Sequence, residues 1–170
     1  MATTRLKFYE LCPSPLGELL LVADGEQLTG LHFIDQKYLP TRDGDWHHAP
    51  ALPVLDETRR QLDEYFAGAR RSFELPLAPT GTAFQQEVWR ALREIPYGTT
   101  TTYGEIAQRL NCPAASRAVG AANGRNPLGI VVPCHRVIGS QGQLTGYAGG
   151  LHRKQALLAL ERGGQLALAF

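Results

Sequence analysis

The sequence predicts a two-part fold: an α/β domain with a small antiparallel sheet, then a mostly α-helical domain carrying a winged helix-turn-helix. Short apolar runs separated by turn residues fill the first half. A junction rich in Pro and Gly at residues 77–81 ends that half, and apolar residues at helical spacing follow it. A chain of 170 residues is long enough for two small domains. We place them at residues 1–80 and 81–170.

Composition indicates an ordinary globular protein of the cytoplasm. Hydrophobic residues make up 44% of the chain and charged residues 19%, which are the proportions of a protein with a packed core. No apolar run is long enough to span a bilayer, and the N-terminus lacks the pattern of a secretory signal. The cysteines (Cys12, Cys112 and Cys134) are odd in number and far apart, which favours a reducing compartment over a disulfide framework.

Three strands are predicted in the first half, over residues 6–11, 18–23 and 28–33. The dipeptide Asp24-Gly25 is a hairpin-type turn signal between the second and third strands. Residues 73–77 are a candidate for a further strand.

Residues 35–50 are predicted to form a loop, because Asp, Gly, Pro and His are frequent there. We interpret the aromatic cluster Trp46–His48 as an anchor for this loop rather than a site. A helix follows between Pro53 and Gly68, where apolar residues recur every three or four positions.

Two capping boxes, at residues 82–85 and 102–105, mark helix starts in the second half. The first helix is predicted to stop at Pro96, and the second is short and runs through Leu110. A third helix, with Pro113 near its first turn, fades at residues 123–124. The last two have the dimensions of a helix-turn-helix.

Glycine-rich turns at residues 139–146 suggest a looped hairpin or wing, and a final helix is predicted over residues 151–162. The third helix presents mainly Ala and Gly, and Arg117 is its one long side chain. Small residues let a helix backbone approach its neighbour closely. The helix could therefore pack against its own protein or press into the narrow minor groove of DNA.

Charge is divided unevenly along the chain. Residues 1–80 carry 8 Lys+Arg against 12 Asp+Glu, a net charge of −4, whereas residues 81–170 carry 9 against 4, a net charge of +5. The second half would therefore meet a polyanionic partner. A solvated basic face explains the charge alone equally well.

The motif Pro133-Cys134-His135-Arg136-Val137 carries the strongest chemical signal and follows a strand-like apolar run at residues 130–132. A thiol becomes a useful nucleophile as the thiolate, which a neighbouring base or cation favours. On these residues alone, a buried core cysteine is an equally good interpretation.

The wider pattern resembles the O6-alkylguanine-DNA alkyltransferase family. The motif PCHRV is preceded by RAVGAA (117–122) and Asn126-Pro127, and it is followed by GYAGGL (146–151) and LLALE (157–161). The resemblance is close over residues 82–161 and loose before them. It implies a ribonuclease H-like first domain. It also implies repair of O6-alkylguanine in duplex DNA by irreversible alkyl transfer to the protein's own cysteine.

The resemblance implies five catalytic residues. Cys134 would attack the alkyl carbon, and His135 would act as its base through a bridging water. Glu161 would orient the imidazole, as the acid of a Ser-His-Asp relay does. Tyr103 would give a proton to the purine N3, and Asn126 would hold the turn beneath the site.

The family also flips the damaged nucleotide out of the stack from the minor groove. Arg117 matches the residue that enters the stack in its place, and the other expected DNA-binding residues are Tyr103, Ala118, Ala121, Ala122 and Arg125.

The flipped base is expected to meet a pocket formed by Val137, Tyr147 and Ala148. Position 148 is alanine where some relatives have serine, so a side-chain hydroxyl contact to O6 is lost.

We expect no cofactor and no metal: some relatives bind zinc through their first domain, but the ligand pattern is missing here. The expected partner is duplex DNA, bound by a monomer, with cooperative binding left open. Three other classes of protein are the alternatives. A lesion-binding relative would have lost the cysteine, a helix-turn-helix regulator would not need the Cys-His-Glu set, and a Cys-His hydrolase would show an oxyanion signature.

Overall fold

Four strands form one sheet in the first half of the computed structural model, which describes residues 6–164 and 166. The strands are β1 (Lys7–Cys12), β2 (Leu19–Ala23), β3 (Leu28–Phe33) and β4 (Trp46–His48), arranged in the order β3-β2-β1-β4. Every residue of β2 is buried, so this strand lies at the centre of the core. Helix α1 (Pro53–Phe66) follows the sheet, with Pro in its first turn as predicted.

The sheet is mixed rather than purely antiparallel. β1 pairs antiparallel with β2 and β2 with β3, but β4 runs parallel to β1. The chain leaves β3 at one edge and crosses to the other through residues 34–45, and such a crossover delivers a parallel strand. The predicted loop at 35–50 therefore contains a short edge strand. Residues 73–77 give no full strand, because Pro76 lacks an N–H and only the bridge between Leu77 and Leu28 forms.

The second half contains four helices among the described residues: α2 (Ala83–Arg93), α3 (Tyr103–Arg109), α4 (Ser116–Gly124) and α5 (Leu151–Glu161). Both predicted capping boxes are confirmed, at Thr82 with Gln85 and at Thr102 with Glu105. Pro113 lies in the turn before α4 rather than in its first turn. Strand β5 (Thr101–Thr102) pairs in parallel with β6 (Val137–Ile138).

The run before the cysteine was predicted to be a strand, and this is wrong. Ile130 has a φ of 69°, and the backbone bonds Val131 N to Gly129 O and Val132 N to Leu128 O close tight turns. Burial explains the apolar run without any strand pairing, since residues 130–132 are all buried. The chain then enters a 3₁₀ helix, Cys134–Arg136.

The proposed wing contains turns and no two-stranded hairpin of its own within residues 139–146. Two backbone bonds, from Gly139 N to Gln143 O and from Gly142 N to Gly139 O, close its turns. Backbone bonds also join the two halves of the chain, because Leu31 N donates to Pro127 O and Gly129 N donates to Leu31 O. In the described part of the chain, no helix is long and apolar enough to cross a membrane.

Candidate active site

Cys134 is the first residue of the 3₁₀ helix and is 6% exposed. Burial raises the pKa of its thiol, and the Asn126 side chain and the Lys154 charge oppose this rise only in part. The resting group is therefore a thiol at neutral pH, and it needs a base to become a nucleophile. The chain turns at residues 134–136, so Cys134 and His135 are not in an extended conformation.

His135 is fully buried and is aligned by one carboxylate. Its Nε2 lies 2.5 Å from Oε2 of Glu161. An ionised carboxylate can only accept, so Nε2 carries the proton and Nδ1 keeps a lone pair. Nδ1 is buried and has no hydrogen-bond partner among the described residues. The ring thus has a free acceptor nitrogen, which is what a general base requires.

Glu161, the last residue of α5, is the centre of a buried network. Besides His135, it accepts hydrogen bonds from Arg136 Nε at 2.6 Å and from the Tyr65 hydroxyl at 2.6 Å. Burial alone raises the pKa of Glu161, but the bonds from His135, Arg136 and Tyr65 outweigh burial and lower it to about 2. The backbone N–H of Gly98, at a φ of 78°, also points at this carboxylate from 3.4 Å.

Arg136 pairs inside the protein: besides its bond to Glu161, its Nη1 donates to Ile95 O at 2.7 Å. The permanent positive charge of Arg136 balances the negative charge of Glu161. The carboxylate therefore attracts a proton on His135 only weakly. Burial lowers the pKa of His135, and Glu161 opposes this only in part. The imidazole is therefore neutral at rest and able to accept a proton.

Asn126 fixes the turn that leads to the nucleophile. Its Nδ2 donates to Val132 O at 2.8 Å, and its Oδ1 accepts from Leu128 N at 2.9 Å. The Asn126 side chain also lowers the pKa of Cys134, against the larger effect of burial. One amide side chain therefore connects the end of α4 to the cysteine.

Tyr103 is the first residue of α3, and its ring lies beside Gly120 of α4. Its hydroxyl donates to the backbone O of Thr145 and accepts from Thr145 Oγ1, both at 3.2 Å. Burial raises the pKa of this phenol. Lys154, whose side chain is fully buried, donates to the same Thr145 carbonyl at 2.7 Å.

A cavity of about 10 Å³ lies beside Cys134, and Asn126, Tyr147 and Ala148 line it together with Gln36. This space is about that of one water molecule. A purine enters only if the lining moves, and the bond from Lys37 N to Ala148 O ties two lining segments together. Val137, expected in the pocket, is instead fully buried in β6 and does not line this cavity.

The predicted DNA-binding residues of α4 divide into two groups. Arg117, Ala118 and Ala121 are exposed. Ala122 is 3% exposed and its carbonyl accepts from Trp89 Nε1 at 2.8 Å, so it packs against α2 and offers little surface to DNA. The buried face of α4 therefore confirms close packing against the protein, and the approach of its exposed face to DNA stays a prediction.

Arg125 lies beyond the end of α4 and is exposed. Its guanidinium carbon is 3.6 Å from the ring centroid of Tyr38, a residue of the 34–45 crossover with a φ of 61°. The guanidinium therefore stacks on the first half of the chain.

Four residues that contact the site were not predicted from the sequence: Tyr65, Thr145, Lys154 and Gln36. For Lys154 there was a signal, because a lysine three and four positions before Leu157 and Leu158 lies on the apolar face of its helix. For Tyr65 there was none, since its partner lies 96 residues further along.

Comparison with known proteins gives consistent matches along the chain. A family profile described as "6-O-methylguanine DNA methyltransferase, ribonuclease-like domain" matches residues 7–79, and one described as "6-O-methylguanine DNA methyltransferase, DNA binding domain" matches residues 83–163. The chain is 54% identical over 149 residues to the methylated-DNA–protein-cysteine methyltransferase of Mycobacterium leprae, with 88% of each chain covered. It is 48% identical over 156 residues to that of Haemophilus influenzae, covering 91% of this chain and 86% of the relative.

Among solved structures, the crystal structure of Mycobacterium tuberculosis OGT in complex with DNA superposes with a TM-score of 0.87. The identity is 48%, and 94% of this chain and 96% of that chain are covered. These matches confirm the predicted fold class, a ribonuclease-like domain followed by a DNA-binding domain.

Proposed function

Because the chain belongs to the 6-O-methylguanine DNA methyltransferase family, we propose that it repairs O6-alkylguanine in duplex DNA by transferring the alkyl group to Cys134. Each molecule repairs one lesion and is then spent. The protein acts as a cytoplasmic monomer without a cofactor. The observation that carries this proposal is the buried Cys134 thiol next to His135 in the chain. Nε2 of that neutral imidazole bonds Glu161, and its Nδ1 has no partner among the described residues.

The chemistry follows from the site. Nδ1 of His135 takes the thiol proton through a water, and Glu161 and Arg136 stabilise the ring as its charge rises. The thiolate attacks the alkyl carbon in line, and the bond from that carbon to guanine O6 breaks. Tyr103 gives its proton to the purine N3, so the guanine does not leave as an anion.

The depth of Cys134 supports extrusion of the nucleotide from the stack. Arg117 takes the place of the extruded base, and the small exposed Ala118 and Ala121 let α4 approach the floor of the minor groove. Tyr147 and Ala148 move apart to receive the guanine, with the Ala148 amide near O6. Arg125 meets a phosphate.

The proposal is tested by substituting the nucleophile. Cys134→Ala should abolish repair of a duplex with a single O6-methylguanine yet bind that duplex with affinity near that of the unaltered protein, because the sulfur adds little contact surface. Cys112→Ala is the matched control, since Cys112 is also a free thiol and lies outside the site. Repair by the Cys134→Ala variant, or methyl label on Cys12 or Cys112, would reject the assignment.

A further inference from the structure

The Tyr103 hydroxyl makes two hydrogen bonds, both with one residue outside the catalytic set. It donates to the carbonyl of Thr145 and accepts from the hydroxyl of Thr145, each at 3.2 Å. Thr145 lies in the turn segment between β6 and α5, 42 positions from Tyr103 along the chain. The acid proposed above is therefore positioned from a second element of the protein.

We propose that Thr145 is a positioning residue for alkyl transfer: its hydroxyl aims the Tyr103 hydroxyl and stabilises the phenolate formed when that group gives up its proton. This inference rests on the proposed function, because it needs Tyr103 to act as the acid. A hydroxyl that already donates to the phenol oxygen gains strength as that oxygen becomes an anion, since charge-assisted hydrogen bonds are roughly twice as strong as neutral ones.

Lys154 explains why the tyrosine proton can be released. In the DNA-free structure that proton is bonded to the Thr145 carbonyl, which also accepts from Lys154 Nζ at 2.7 Å. When Tyr103 turns its proton to the purine, the ammonium keeps the buried carbonyl satisfied. Burial lowers the pKa of Lys154 to about 8, so the group remains mostly charged at neutral pH. The same bond fixes the backbone of Thr145.

The step balances without any further reactant. The sulfur–carbon bond forms as the carbon–O6 bond breaks, and the released electron pair passes into the purine ring. N3 takes the phenol proton, and the phenolate keeps the Thr145 hydrogen bond. Thr145 retains its own proton throughout, and the thiol proton held by His135 later returns to Tyr103 through water.

The test compares single-turnover transfer rates of three variants on duplex O6-methylguanine. Thr145→Val keeps the shape and the carbonyl but removes the hydroxyl, and it should slow transfer about 10- to 100-fold, the value of one hydrogen bond to a charged group. Thr145→Ser should restore the rate to within about threefold. Thr58→Val is the matched control, because its hydroxyl likewise donates to a backbone carbonyl, that of Val54 within α1, and it should have no effect.

Two further measurements separate positioning from structural support. Alkylation of Cys134 by iodoacetamide needs no leaving-group proton and should be equally fast in Thr145→Val and the unaltered protein. On a duplex containing 3-deaza-O6-methylguanine, which lacks the N3 acceptor, the Thr145→Val effect should disappear. Equal slowing on both duplexes, slower iodoacetamide alkylation, or failure of serine to restore the rate would each overturn the role of Thr145.

A double-mutant cycle with Tyr103→Phe distinguishes the inference from the function beneath it. The two substitutions should be non-additive, because each removes the same interaction. Full activity in Tyr103→Phe would reject the tyrosine as acid and with it this part of the proposed function. A slow Tyr103→Phe beside a fully active Thr145→Val would reject Thr145 alone.

Discussion

The Glu161 side chain accepts hydrogen bonds from both halves of the chain. His135 and Arg136 reach it from the cysteine motif, and Tyr65 reaches it from α1 in the first half. The first half thus contributes one hydroxyl to the network that holds the base. This gives the ribonuclease-like domain a direct part in aligning the imidazole.

Tyr65→Phe should therefore destabilise the protein and increase its acid sensitivity. Loss of the bond at 2.6 Å to a buried carboxylate should lower the free energy of unfolding by about 1–3 kcal/mol, measured by urea denaturation. The Glu161 carboxylate stabilises the fold fully above its unfolded-state pKa of about 4.3, and this contribution is lost as pH falls through about 2. Without the tyrosine the folded-state pKa rises, so acid unfolding should occur at higher pH.

Tyr97→Phe is the control for this change. Tyr97 packs edge-on against Tyr65 with ring centroids 6.3 Å apart, and its hydroxyl bonds none of the described residues. It should leave both the urea midpoint and the acid midpoint nearly unchanged. Equal effects of the two substitutions would show that ring packing, and not the bond to Glu161, accounts for the loss.

At this scale the sequence predicted the residues that carry chemistry and missed those that support them. Cys134 and His135 belong to a chemical motif, whereas Glu161 follows from the family resemblance; the structure bonds His135 to Glu161, and the catalytic roles of all three stay predictions. Tyr65 and Thr145 take part because packing of α1 and of the 139–146 turns puts a hydroxyl in reach. No local pattern records such long-range contacts.

Helix α4 has one buried face and one exposed face. Its buried face, with Val119 and Ala122, packs on the protein, while Arg117, Ala118 and Ala121 face outward. Small side chains permit close packing on α2, and we propose that on the exposed face they permit close approach to DNA.

Arg117→Ala should leave the fold intact but slow repair of duplex DNA far more than reaction with free O6-benzylguanine, because a free base has no stack to fill. Single-turnover rates on the two substrates measure this directly. Arg109→Ala removes another exposed charge, from α3, and should weaken duplex binding only modestly through a phosphate contact. An equal loss on duplex and free base in Arg117→Ala would make Arg117 structural.

Elements with local signals were predicted well. The capping boxes at Thr82 and Thr102 fix two helix starts through side-chain bonds within four residues. The run at 130–132 was misread because burial, and not strand pairing, selects its apolar residues. β4 was missed because three residues gain strand geometry only from a neighbour, β1.

At the scale of the whole molecule, we expect each protein to be consumed by its own reaction. An acyl-cysteine can be attacked again by water at its carbonyl. An alkyl-cysteine is a thioether, with no carbonyl and a very poor leaving group, so His135 and Glu161 offer no way to reset it. The second half carries a net charge of +5 against −4 for the first, and we propose that this charge attracts the duplex.

The most direct test of the central claim counts products per protein molecule. A duplex containing one O6-methylguanine, in excess over protein, is incubated while repaired guanine is followed to completion, and the protein is then mapped by peptide mass. The account predicts a burst equal to one equivalent of active protein, no steady state afterwards, and one methyl group on the peptide containing Cys134. Repaired guanine rising beyond one equivalent, or an unmodified Cys134 after the burst, would contradict it.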